Sequence, residues 1–483
     1  MNILAFFEKY NKFIIIGGAF LAALCFLDKK LATGLIMVFF LASLSIFFIS
    51  RIKDEKQRKI ISILFLISFV LHILAVLVVF YGSFQPFSDG RGDYLEYNLT
   101  ATEVANRLSD NNFSLEGLPF GHYYAAIVGY LYYLTIPKMI IGELLNAWLV
   151  ALTVVFVYLI VKEIGRTSKV AFVTALIVNF YPSLAFFGSL MLKEAFVVFF
   201  STGAILLSLI LIKRFSWRFF IFFYLLLIGL THFRFYISVV LIFVFGICWI
   251  LFSEFKLKKR IILGLVMAFF LGFLPMISMV NGLEQGYFGT NAVLRQLNFK
   301  TITYYREVAY NFRVDHVSGG SKGSIDPEVI KNLTPEGVPV PDIVSNKDWG
   351  QDSSINIKAG NTPLQFIKNT FISFLCAFAG PFPWQLKSLK HIFVLPEILL
   401  WWACLFFILK GVIGSIKSEY KNILPLLLFG MIVVGMISIY MTNFGLVTRI
   451  RMPAFVVLFC LASYGLGKVN KIKIPFVEKY FIQ

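Results

Sequence analysis

The segment RIKDEKQRKIISILFLISFVLHILAVLVVFYG, residues 51–82, joins a strongly basic run to 23 consecutive residues without Asp, Glu, Lys or Arg. About 20 apolar residues of helix cross the hydrocarbon core of a bilayer. The second part is therefore long enough to span a membrane, and the first carries the charge that marks the cytoplasmic side of a span. The pattern recurs along the chain. Apolar runs between charged punctuation lie near 13–27, 31–50, 60–82, 139–161, 170–190, 192–212, 219–232, 235–253, 261–280, 392–410, 423–441 and 452–467. The 483 residues are 59% hydrophobic and 14% charged, against about 45–50% and 25% in a soluble domain. A water-soluble globular enzyme is excluded. The expected fold is an all-α polytopic membrane protein with about 12 transmembrane helices (range about 11–14).

Two shorter apolar stretches, 122–137 and 364–379, are flanked by Gly, Pro and polar residues and read as re-entrant or interfacial helices. Parity supports this. If neither crosses, the basic clusters 51–59, 162–169, 213–218, 254–260, 410–421 and 467–473 all face the cytoplasm together with the N-terminus. Together with the C-terminal tail after 473, those segments then hold 24 basic and 7 acidic residues, net +17, and the rest of the chain 20 and 19, net +1. The formal charge of +18 is thus a topology signal rather than the footprint of a nucleic-acid binder. Cys25, Cys248, Cys376, Cys404 and Cys460 all lie in apolar runs without a CxxC pair, so neither a disulfide framework nor a zinc site is indicated. Residues 13–27 lack a small-residue cleavage site and read as a span rather than a cleavable signal peptide.

The expected organisation is an N-terminal transmembrane hairpin over 1–59 and a transmembrane module over 60–260 with a first outer loop at 83–138. A helix over 261–280, an extracytoplasmic insert over 281–363 and a C-terminal transmembrane region over 364–483, re-entrant at 364–391, complete it. The insert is rich in Gly, Pro and Asp, and a loop of that length is functional or disordered rather than a plain connector.

Ionisable residues gather on the expected outer face. In the first loop Asp89 and Asp93 stand in a Gly-punctuated stretch, and Tyr97, Ala101 and Ala105 follow at helical spacing. That predicts an amphipathic helix along the membrane surface with carboxylates at its start. Such a carboxylate can act as general base on a hydroxyl or hold a divalent metal; the alternative is a hydrated turn with capping aspartates. Lys193 and Glu194 interrupt two apolar runs and mark either a functional site or a hairpin turn whose side chains snorkel to water. His232 and Arg234 divide a 34-residue apolar stretch that must fold into two helices. Arg449 and Arg451 sit outside, against the positive-inside bias, where an anionic ligand would explain them. Lys387, Lys390 and His391 add further positive charge near the prolines of 380–384. Carboxylates and cations on one membrane face suit a substrate with a phosphate at the surface and an apolar tail in the bilayer.

An Asp-bearing first outer loop, a Tyr/Ala-spaced surface helix, a basic inner loop and Tyr181-Pro182 running into Lys193-Glu194 form an ordered set. Over roughly residues 60–260 the chain resembles the GT-C superfamily of integral-membrane glycosyltransferases. It looks most like bacterial relatives of the protein O-mannosyltransferases and the lipid A aminoarabinose transferase. The resemblance implies a GT-C-like fold, a polyprenyl-phosphate-linked sugar donor, an extracytoplasmic active site in the inner or plasma membrane, and inversion at the anomeric carbon. The family's loop-one carboxylate maps to Asp89 or Asp93 and its second acidic position to Glu194. Lys193, His232, Arg234, Arg449 and Arg451 are then candidates for the phosphate. Two features depart from the family: the adjacent Asp-Glu pair of the mannosyltransferases is missing from loop one, and the outer insert lies between spans. No motif requires a cofactor, although a divalent metal could be held by the acidic loop. The expected acceptor is an envelope glycan, lipid or protein, and the sugar is left open. The alternatives are a polysaccharide polymerase or O-antigen ligase, which would depend on Arg and His alone, and a lipid-linked oligosaccharide flippase.

Overall fold

The computed structural model describes residues 29–82, 92–115, 118, 123–270, 302, 362–385, 394–440 and 444–467. Among these residues the regular structure is helical: α1 (Lys29–Ser50), α2 (Glu55–Gly82), α3 (Asp93–Ser109), α4 (Tyr123–Leu134), α5 (Met139–Glu163), α6 (Ser168–Asn179), α7 (Pro182–Gly188), α8 (Glu194–Lys213), α9 (Trp217–Phe252), α10 (Leu257–Phe270), α11 (Pro363–Ala379), α12 (Leu395–Tyr440), α13 (Phe444–Ile450) and α14 (Met452–Leu466). Six of them (α1, α2, α5, α8, α9 and α12) are long and apolar enough to cross a membrane, or up to seven segments if α6 and α7, bent by 58°, form one broken span. The bend falls at Pro182, which lacks an N–H and disfavours helix at the residue before it. Large apolar side chains such as Phe39, Phe40, Phe47, Val70, Leu74 and Val78 stand exposed along α1 and α2, as on helices whose solvent is lipid. This is an all-helical, polytopic membrane protein.

Two of the long helices are folded back on themselves. A straight α9 of 36 residues would be about 54 Å long, well beyond a bilayer core of about 30 Å. Its backbone leaves the helical region at Arg234 (φ −152°, ψ 79°). The rings of Phe223 and Phe245 lie 4.8 Å apart, and Thr231 Oγ1 lies 3.0 Å from Ser238 Oγ. In a straight helix 22 residues would separate those rings by about 33 Å. The two helices expected on either side of Arg234 are therefore the arms of a hairpin. In α12 the backbone breaks at Glu419 (φ −122°, ψ 24°). Trp401, before the break, stacks on Phe455 at 4.0 Å, whereas a Cβ on Gly430, after it, would lie 2.5 Å from Leu458. Both arms thus meet the same stretch of α14, which is buried on every side.

The chain forms two compact units, Met1–Leu152 with Ala185–Ala195 and Thr153–Leu184 with Phe196–Gln483. In the second unit Arg166 pairs with Glu419 and its guanidinium lies 4.4 Å from the Tyr464 ring. Glu163 pairs with Lys213 at 3.4 Å and Arg214 at 3.0 Å, and the Phe252 ring meets Tyr420 at 5.5 Å. Four basic segments, 162–169, 213–218, 254–260 and 410–421, so gather at one end of this unit, as a common side of the membrane demands. Partly exposed pairs of this kind stabilise by only about 0–1 kcal/mol; their value here is as a marker of the end. Tyr464 lies at that end of α14 and Met452 about 18 Å along the axis, towards the other.

In the first unit the Trp148 indole donates to Ser45 Oγ at 2.7 Å, joining α5 to α1. Helix α3 carries the amphipathic stripe expected of it, burying Tyr94, Tyr97, Ala101, Val104, Ala105 and Leu108. It packs on α4 so closely that a Cβ on Gly129 would lie 2.5 Å from that of Val104 and 2.9 Å from the Ala101 carbonyl oxygen. At 12 residues, α4 is about 18 Å long, too short to cross. The stretch 13–27, the insert 281–363 and the cluster 467–473 fall wholly or almost wholly outside the described residues.

Candidate functional site

The first unit assembles a polar cluster at the start of α5, the end of that helix remote from the basic 162–169 segment. Asp93 and Glu96 occupy the first turn of α3, where the unpaired N–H groups and helix dipole favour negative charge. Asp93 is half-buried. One turn on, Tyr97 meets Tyr124 of α4 edge to face, centroids 5.1 Å apart. Asn98 accepts a 2.7 Å hydrogen bond from the Tyr132 hydroxyl, which also lies 3.4 Å from the sulfur of Met191. Burial, and then the nearby Glu143 carboxyl, push the Tyr132 phenol well above its ordinary range.

Glu143 and Asn146 stand three residues apart on one face of α5, both fully buried. Asn146 Nδ2 lies 2.7 Å from the Leu190 carbonyl, 2.8 Å from that of Leu192 and 3.1 Å from the Tyr124 hydroxyl. It thereby holds the turn between α7 and α8, whose own bond runs from Leu192 N–H to Leu190 C=O at 2.8 Å. Gly142 lets the backbone come this near: a Cβ there would lie 3.1 Å from Val128 and 3.2 Å from Met191. Among the described residues neither oxygen of Glu143 has a hydrogen-bond partner. Burying such a group unpaired costs about 1–3 kcal/mol or more, so this is the least satisfied polar site in the cluster.

The turn leads directly to Lys193 and Glu194. Lys193 is half-buried, and Glu194, in the first turn of α8, is 2% exposed. A turn whose glutamate snorkels to water is therefore not what forms here; the carboxyl is buried, at a helix N-terminus that favours its charge. Through Met191, Tyr132 and Asn98 the same turn touches α3, the helix that begins at Asp93. Asp89 lies outside the described residues, as do Lys387, Lys390 and His391. Among the described residues no three His, Cys, Asp or Glu side chains gather as a metal site.

Of the cations expected at the phosphate, Lys193 belongs to the first unit and His232, Arg234, Arg449 and Arg451 to the second. Arg234 is half-buried at the apex of the α9 hairpin, beside exposed His232, and the arms of that hairpin start and end at basic segments. Arg449 is half-buried in the last turn of α13. Arg451 is different. It is 1% exposed; Nη1 donates to the carbonyls of Ala377 at 2.8 Å and Gly380 at 2.7 Å, and Nη2 donates to Glu397 at 2.7 Å. Tyr181 donates to the same carboxylate at 3.2 Å, and Ser183 bonds its other oxygen. The guanidinium expected to meet a ligand is committed to a buried ion pair at the Met452 end of α14.

Sequence reasoning missed Glu143, Asn146, Tyr132 and Glu397. For the two carboxyls the signal was present, since an ionisable residue inside an apolar run is itself a functional indication. Hydropathy averaged over 139–161 and 392–410 concealed both. Comparison with known protein families and with curated proteins finds no match to this chain.

Proposed function

We propose that the protein is a membrane glycosyltransferase that moves a sugar from a polyprenyl-phosphate-linked donor to an envelope glycan, lipid or protein acceptor. The reading includes a GT-C-like arrangement of about 12 spans and an extracytoplasmic site in the inner or plasma membrane. The observation that carries it is the burial of Glu194 beside Lys193, on a turn tied to the helix that starts at Asp93. In the reaction a carboxylate, Asp89, Asp93 or Glu194, takes the proton of the acceptor hydroxyl as its oxygen attacks the anomeric carbon. The bond from that carbon to the phosphate oxygen breaks, the configuration inverts, and polyprenyl phosphate leaves. Lys193, with His232, Arg234 and Arg449, would offset the charge developing on the departing phosphate. Of the late arginine pair Arg449 is the one proposed, because Arg451 is buried with both Nη atoms already bonded to Ala377, Gly380 and Glu397. A divalent metal on the acidic loop would serve the same end.

The test is transfer from labelled polyprenyl-phosphate sugars, hexoses and pentoses, by the protein in proteoliposomes. Of Asp89→Asn, Asp93→Asn and Glu194→Gln, the change at the base lowers kcat by about 10²–10⁴-fold. Full activity in all three variants removes the carboxylate mechanism. Loss confined to His232→Ala and Arg234→Ala points instead to a polymerase- or ligase-type enzyme.

A further inference from the structure

We infer that Asn146 is a positioning residue, setting where the Lys193–Glu194 turn stands relative to the helix that begins at Asp93. The inference rests on the glycosyltransferase reading only for what the turn does, not for how it is held. One buried amide meets the carbonyls of both Leu190 and Leu192, at 2.7 and 2.8 Å. These carbonyls flank Met191, so the whole bend is captured from a single point on α5, and Lys193 and Glu194 follow it at once. Tyr124, whose hydroxyl lies 3.1 Å from the same nitrogen, is the ring against which Tyr97 of α3 packs. A second link runs from Met191 through the Tyr132 hydroxyl to Asn98. The turn and α3 are thereby fixed to the same two tyrosines of α4, and Asn146 is the side chain that bonds to the turn backbone.

Asp in its place would turn acceptors towards acceptors. Leu has similar volume and donates nothing. Each hydrogen bond of this kind shifts a local equilibrium by about two- to tenfold, so two hold the turn closed by roughly four- to a hundredfold.

The test uses the full chain in lipid nanodiscs. A reporter, Lys193→Cys, is labelled with a membrane-impermeant maleimide, the chain without it serving as background. Adding Asn146→Leu is expected to raise the labelling rate by at least about fourfold; an unchanged rate overturns the inference, whatever the protein catalyses. If that variant does not fold, Asn146→Gln takes its place: it keeps the amide but moves it by one methylene, and its labelling must rise by about threefold or more. In transfer assays Asn146→Leu should lower kcat while KM for the donor stays within about twofold, as for a group that acts only in the transition state. The double variant with Glu194→Gln should be no worse than Glu194→Gln alone. Additive losses overturn the link through Glu194. Absence of any transfer by the unaltered protein overturns the enzymatic reading and leaves the labelling result to decide the role of Asn146.

Discussion

Replacing Arg451 by Met removes a guanidinium that is 1% exposed and leaves three acceptors facing an apolar side chain. The Ala377 and Gly380 carbonyls lose bonds of 2.8 and 2.7 Å, and Glu397 loses its 2.7 Å ion pair, keeping only the hydroxyls of Tyr181 and Ser183. Breaking a buried pair by deleting one partner costs about 3–5 kcal/mol. The orphaned carbonyls stand at the corner after α11, which the Trp402 indole also holds through the Ala379 carbonyl at 2.8 Å, so the corner cannot simply turn away. We expect a net loss of about 4 kcal/mol. Domains of 150–250 residues lose about 2–4 °C per kcal/mol, and a longer chain less. At about 1–2 °C per kcal/mol, the apparent melting temperature in nanodiscs should fall by about 4–8 °C.

A lysine at 451 discriminates between the two roles this side chain has been given. A phosphate accepts a point charge from Lys almost as readily as from Arg, but three acceptors in different directions need the fork. Arg451→Lys should therefore lose most of what Arg451→Met loses. Changing Glu397 to Leu in the Arg451→Met background removes the stranded charge, and apolar replacements of buried pairs are often neutral. The double variant should be more stable than the sum of the singles by about 2–3 kcal/mol. A melting temperature for Arg451→Met within about 1 °C of the unaltered protein, or strictly additive singles, refutes the clamp.

Glu143→Leu should raise stability by about 1–3 kcal/mol, because among the described residues the buried carboxyl has no hydrogen-bond partner to lose; if transfer activity falls at the same time, the site keeps a destabilising group for its function. Tyr132 makes alkaline pH informative. Its folded pKa is raised, first by burial, so the phenol stabilises the fold fully below the unfolded value of 10.0 and that contribution is lost as pH rises above it. Melting temperature should fall steeply above pH 10, and less steeply in Tyr132→Phe; equal slopes refute the assignment. Cysteines at 223 and 245 should be joined by a short bifunctional thiol reagent, since the native rings are 4.8 Å apart. A straight α9 would put them about 33 Å apart and give no product.

What the amino-acid order discloses, and what it conceals, follows from the range of the interactions. Crossing helices are local events: an apolar run of 20 residues is a helix in lipid because its backbone has no other partner. The hairpin at Arg234 and the helix pair around Glu419 could therefore be read as separate runs. Basic clusters are local as well, and the pairing of Arg166 with Glu419 and of Glu163 with Lys213 and Arg214 is what a common side implies for three of them. Arg451 shows where such reading stops. Its charge is visible at 449–451, but its partner Glu397 is 54 residues away and sits in a run that averages as apolar. An arginine without a visible partner looks like a ligand site; with the partner in place it is a strut. Glu194 shows the converse: in sequence its neighbour Lys193 makes a surface turn plausible, and only the amide of Asn146, 44 residues before Leu190, reveals that the turn is drawn inside. Ionisable residues in a membrane chain are thus sorted into struts and sites by long-range partners. Glu143, which has no hydrogen-bond partner among the described residues, is a buried carboxyl that no described strut of this kind explains.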